Sequence, residues 1–190
     1  MTRPNSHSSR VLAIDPTTHG FGFTILESPT MPVDWGMPVI RKGDKEKALV
    51  RVTALIKQYE PNVLIIEEPK GSRRCGRVRE LLEAISLIKV KGLKIRRFST
   101  KRVKKVFRAF GAQTKYEIAR AIAHQVPELA SWLPRFRKPW MSEDKRTSIF
   151  DAAALALTYF HSRSIRARNS ERTGLIPDSI VVSAPPVLLN

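Results

Sequence analysis

The chain has 190 residues, 42% of them hydrophobic, which is enough for one domain with a full core and too few for two large ones. Its 34 Lys and Arg against 17 Asp and Glu give a formal net charge of +17, so charge points to a polyanionic partner, with nucleic acid ahead of an anionic membrane surface. The single cysteine, Cys75, excludes an internal disulfide and a thiolate zinc cluster, and the longest apolar run, residues 152–157, is far too short to span a membrane.

Residues 11–15, VLAID, form a short apolar run stopped by Asp-Pro and predict a buried strand followed by a turn. A second strand is expected over 21–27 after the glycine-containing THGFG, and a third over 35–40 after the Pro-rich SPTMPVDWGMP, which together make a meander. Apolar residues at 48, 49, 52, 55 and 56 recur at helical spacing and predict a helix over 44–59, crossing to a parallel strand over 63–67. After GSRRCGR, a helix is expected over 78–90, a strand over 93–98 and a basic helix over 101–110. Thr114 and Glu117 have capping-box spacing, so a helix should open there and run to 126, closed by Pro127. Residues 131–142 suit an ordered loop packed by Trp132 and Trp140, and a last helix is expected over 143–160. This leaves 1–9 as a flexible N-terminus, 10–161 as the folded domain and 162–190 as a basic, then Pro-containing, tail. MTRPNSHSSR has no hydrophobic centre of the kind a secretory signal carries, and the expectation is a cytoplasmic, nucleoid-associated protein with no membrane partner and no small-molecule cofactor.

Asp15 and Glu67 each end an apolar strand, and Asp151 lies in the apolar helix SIFDAAALALTYF. Carboxylates from separate elements in a cationic chain suit Mg²⁺, with Mn²⁺ able to substitute, because such hard ions take oxygen ligands and a pair of them can clamp the attacking and leaving oxygens of a phosphodiester. The pattern predicts a metal-dependent nuclease. Glu68 would point away from Glu67, and Glu67 is preferred because it keeps phase with Ile65. Asp144 lies two turns before Asp151 and would share its face in a helix begun at 143, with Glu143 as the alternative. Asp151 could instead cap a helix that starts there. Arg73, Arg74 and Arg77 follow Glu67, and Lys101, Lys104 and Lys105 cluster on the basic helix, so these six are expected to contact phosphates. Phe107 and Phe110 are assigned to the core, and His19 and His124 to structural roles.

VLAIDPTTHGFGFTIL resembles the first hairpin of the RuvC-type Holliday junction resolvases, and NVLIIEEP resembles the fourth strand of that family. LKIRRFSTKRVKKVFRAFGAQTKYEIARAI is similar to the family's fifth strand, basic helix and the helix-opening lysine, here Lys115, and SIFDAAALALTYF resembles its last helix. The match runs in order over about 11–160. It implies an α/β, ribonuclease H-like fold: a mixed five-stranded sheet, an antiparallel meander plus two parallel strands, flanked by helices. It also implies a homodimer that resolves four-way DNA junctions by paired nicking, with Asp15, Glu67, Asp151 and Asp144 as catalytic metal ligands and Lys115 at the scissile phosphate. Two positions depart from the family pattern. Thr17 stands where Asp-Pro-Gly is usual, and Ser148 stands three residues before Asp151, where an acid or histidine is usual. The alternatives are a ribonuclease H-fold nuclease acting on other branched DNA, RNA or transposon ends, and a non-catalytic junction-binding pseudonuclease.

Overall fold

The computed structural model describes residues 9–40, 44–68, 76–138 and 140–172. Strands β1 (Val11–Thr17), β2 (Gly20–Ser28) and β3 (Met31–Gly36) are followed by helix α1 (Lys45–Tyr59), β4 (Val63–Glu67), α2 (Gly76–Ser86), β5 (Lys94–Phe98), α3 (Thr100–Arg108), α4 (Lys115–Gln125), a 3-10 helix (Pro127–Trp132) and α5 (Thr147–Arg172). The strands form one sheet in the order β3-β2-β1-β4-β5. β1–β2 and β2–β3 are antiparallel, and β1–β4 and β4–β5 are parallel. This is the mixed five-stranded sheet that the element order predicts.

Strand alternation sorts the apolar side chains onto two faces. Leu12, Ile14, Phe23, Ile25, Leu64 and Ile66 pack with Ala48, Val52 and Ile56 of α1 and with Val78, Leu82 and Ile85 of α2. Val11, Ala13, Leu26, Val63 and Ile65 pack on the other face with Ile118 and Ile122 of α4 and the Ala- and Leu-rich middle of α5. The core strands are apolar on both faces because helices cover both.

Several boundaries differ from the sequence reading, each for a local reason. β3 lies over Met31–Gly36 rather than 35–40, because a proline such as Pro32 is tolerated on the strand at the edge of the sheet. β1 continues through Asp15-Pro16, since Pro16 pairs with Phe21 and Thr17 with Gly20 after the parallel partner strand has diverged. α2 ends at Ser86, four residues early. Ser86 Oγ donates to the Glu83 carbonyl at 2.7 Å, and Leu87 and Val90 are exposed rather than continuing the apolar face. The capping box at Thr114 and Glu117 is present.

The largest difference is α5. It begins at Thr147, not 143, and runs to Arg172, so residues 162–172 are helix where the sequence suggested a tail. Ser164 is 8% exposed, and Arg102 of α3 donates to Ser162 Oγ at 2.9 Å, so packing against α3 supports the added turns. Phe110 is not a core residue: it is 45% exposed and meets the His161 ring edge-on.

Candidate active site

The last β1–β4 pair is Ile14 with Ile66, so Asp15 and Glu67 are the next residues along on two adjacent parallel strands. Both fall in phase with Val11, Ala13, Val63 and Ile65, so both point to the α5 side. Asp15 is 2% exposed and Glu67 9%. A buried carboxylate requires hydrogen-bonding partners. Thr100 supplies one for Glu67, its hydroxyl donating to Oε1 at 2.6 Å. Thr100→Val should destabilise the protein by about 1–3 kcal/mol, visible as a lower urea midpoint at unchanged slope.

Asp151 arrives from above the sheet. α5 crosses β2 at Gly22, the antiparallel partner of Asp15. A Cβ at Gly22 would stand 2.2 Å from the Ser148 carbonyl carbon, 2.3 Å from its oxygen and 2.7 Å from the Ile149 nitrogen. Only a residue without a side chain lets the helix backbone come so near. Two residues further along β2, the buried Thr24 hydroxyl donates to the Ile149 carbonyl at 3.1 Å. These contacts fix the first turn of α5, and with it Asp151, over the end of β1.

Asp15, Asp144, Asp151, Glu143, Ser148 and Lys115 all line a cavity of about 360 Å³. Lys115 opens α4 and spans two of these acids, its Nζ donating to Asp151 Oδ2 at 2.9 Å and to Glu143 Oε1 at 2.7 Å. Burial alone would lower the affinity of Lys115 for its proton. The charge of Asp151 and the bonds to both carboxylates outweigh it and hold the ammonium firmly charged.

Asp144 reaches the cavity differently from the sequence argument. With α5 starting at Thr147, Asp144 sits in the turn before the helix and shares no helical face with Asp151. Arg146 donates to it through Nη2 at 2.6 Å and through its backbone nitrogen at 3.0 Å. The Arg146 side-chain bonds, with that backbone bond, outweigh burial and pull its carboxyl down to about 2. Its folded value lies below the ordinary 3.8, so the ion pair contributes stability above about pH 4 and loses it as pH falls toward 2. The melting-temperature deficit of Asp144→Asn should therefore shrink between pH 5 and pH 2.

Among the described residues, no three His, Cys, Asp or Glu side chains gather closely enough to form a ready metal cluster. Asp15 and Asp151 share the cavity, while Glu67 lies beside Asp15 on the sheet but is not part of the cavity lining. Ser148 is 6% exposed, and its hydroxyl donates to the Lys145 carbonyl at 2.8 Å.

Of the expected phosphate contacts, Arg77, Lys101, Lys104 and Lys105 are exposed. Arg73 and Arg74 lie outside the described residues. Trp132 packs against the core, whereas Trp140 is 77% exposed and does not pack the loop. The sequence reading missed Thr100, Arg146 and the close approach at Gly22. The glycine itself was visible in THGFG, but only the fold shows that a helix lies over it.

Comparison of the sequence with protein-family models gives no match, and comparison with curated proteins gives none. Among solved structures, the Thermus thermophilus RuvC structure superposes with a TM-score of 0.58 at 18% identity, covering 82% of this chain and 96% of that one. T. thermophilus RuvC in complex with a Holliday junction substrate superposes with a TM-score of 0.59 at 19% identity, over the same shares. The sheet order and these superpositions agree that the chain has the ribonuclease H-like fold of T. thermophilus RuvC.

Proposed function

We propose that the protein is a metal-dependent, structure-selective endodeoxyribonuclease that cuts four-way DNA junctions. The observation that carries this reading is the convergence of Asp15 and Asp151 on one cavity, with Lys115 across it and the buried Glu67 on the neighbouring strand, in a chain of net charge +17. The fold it shares with the junction-bound T. thermophilus RuvC supports the choice of substrate.

The donor set fits a hard divalent cation, since every acidic side chain at the site offers oxygen. Asp15 and Glu67 would hold Mg²⁺, or Mn²⁺ in its place, with Asp151 joining them and Asp144 or Glu143 as a further ligand. When bound, such ions activate water and offset charge on the phosphate. The chain's own groups do the rest. Lys115 has three N–H donors, two of them directed at Glu143 and Asp151, so one remains for a phosphate oxygen. Exposed Arg77, Lys101, Lys104 and Lys105 would hold the flanking backbone, which positions the DNA without reading its sequence. Nicks in opposing strands call for two copies related by a two-fold axis, so a homodimer is part of the proposal.

The test is to incubate a labelled four-way junction, a flap, an RNA–DNA hybrid and a linear duplex side by side with native protein and Mg²⁺. Symmetric paired nicks in the junction, with little cutting of the others, are expected. Preference for the flap or hybrid would reassign the substrate. A second reading, a junction-binding protein without cleavage, draws on Ser148 and on the hold of Lys115 on Asp151. It requires tight junction binding with no Mg²⁺-dependent products.

A further inference from the structure

Between the 3-10 helix and α5 the chain reads RFRKPWM over 135–141. Phe136 is 67% exposed, Trp140 77% and Met141 48%. Three large apolar side chains in water within one short loop gain nothing for folding and mark a surface that meets something. Arg135, Arg137 and Lys138 alternate with them, and no acid occurs over 129–142.

The loop is also tied to the candidate active site. The Phe136 ring meets Tyr116 edge-on, with centroids 5.2 Å apart and planes at 80°. Tyr116 follows Lys115, whose Nζ reaches Asp151. The Arg135 backbone nitrogen donates to Asp144 at 3.5 Å, and Lys138 Nζ stands 5.4 Å from the centroid of the Trp140 ring. The Phe136 ring therefore lies beside the residue that follows Lys115, and Trp140 stands on the same loop, four residues before Asp144 of the cavity lining.

Rings with cations are the chemistry that binds unpaired nucleotides, because bases stack on the rings while phosphates meet the charges. In a continuous duplex the bases stack on one another and offer such rings no face. At a branch point the stacking is already interrupted, so exposing a base costs less. We propose that Phe136 and Trp140 form a stacking platform for unpaired bases at the branch point, beside the site of cleavage. The proposal deepens the nuclease reading and rests on it.

Full-length protein carrying Asp15→Asn, which blocks cutting, is titrated with a four-way junction, a single strand and a continuous duplex of equal length. Adding Phe136→Ala with Trp140→Ala should weaken junction and single-strand binding by about tenfold per ring and leave duplex affinity nearly unchanged. Phe136→Trp with Trp140→Phe keeps both rings and should restore binding. In otherwise unaltered protein, single-strand binding should quench Trp fluorescence, and Trp140→Phe should remove most of that quenching. Equal loss on all three probes, or loss on none, overturns the platform. A loss that accompanies a halved mass by light scattering also overturns it, since it would assign the patch to contact between copies. If the native protein yields no Mg²⁺-dependent products while binding of unpaired DNA stays ring-dependent, the nuclease reading falls and the platform stands as a single-strand surface.

Discussion

Asp15→Asn is expected to lower junction cleavage by about 10²–10³-fold while junction affinity changes little. The substitution keeps the size of the side chain but removes a negative charge from the end of β1, where the residue is only 2% exposed. An amide oxygen is a poor substitute for a carboxylate toward a divalent ion, and losing one preorganised electrostatic group at a reacting centre commonly costs about 10²–10³-fold. The exposed lysines and arginines that would hold the DNA backbone are unaffected, so binding should persist. A second readout is independent of DNA. At a metal concentration about 100 times Kd, binding to the folded state alone adds about 2.7 kcal/mol, which for a chain of this size raises Tm by about 5–10 °C. Native protein should show this rise with Mg²⁺ or Mn²⁺, and Asp15→Asn should lose most of it. Equal cleavage by both proteins would remove Asp15 from the mechanism, and a Tm unmoved by either ion would remove the metal.

Gly22→Ala is expected to damage both stability and activity through a single added methyl group. The new Cβ would lie 2.2–2.7 Å from three backbone atoms of Ser148 and Ile149, and backbone cannot swing aside as a side-chain tip can. The helix must lift or the sheet must bend. Overpacking of this kind costs about 1–3 kcal/mol and sometimes more, so Tm should fall by about 3–10 °C. Because the displaced turn also carries Asp151 toward or away from Asp15, activity should fall beyond what unfolding explains. A shift of about 1 Å at a reacting group can cost about 10²-fold. Assaying cleavage well below the variant's Tm separates the two effects. Unchanged stability and unchanged rate together would contradict the close approach.

The parts of this structure legible in the sequence were those governed by period and by local chemistry. Alternating and continuous apolar runs mark β1, β2, β4 and β5, and the Thr114–Glu117 box marks the start of α4. Asp15, Glu67 and Asp151 stand out because each interrupts an apolar run. What escaped depends on neighbours distant in sequence. Pro32 discourages a strand unless the strand is known to lie at an edge. Asp144 has the right spacing for a helical face, but Arg146 holds it in a turn. Residues 162–172 look like solvated tail until α3 is seen beside them. Trp140 looks like packing because large rings usually are buried, and only the loop's path shows that it points to water.

α5 contains no glycine or proline from Thr147 to Arg172, so its 26 residues form an unhinged rod about 39 Å long. Its first turns carry Asp151 to the candidate cavity, and its second half presents exposed Arg163, Arg166 and Arg168 to water. Pivoting such a rod by about 3° at its middle shifts each tip by about 1 Å.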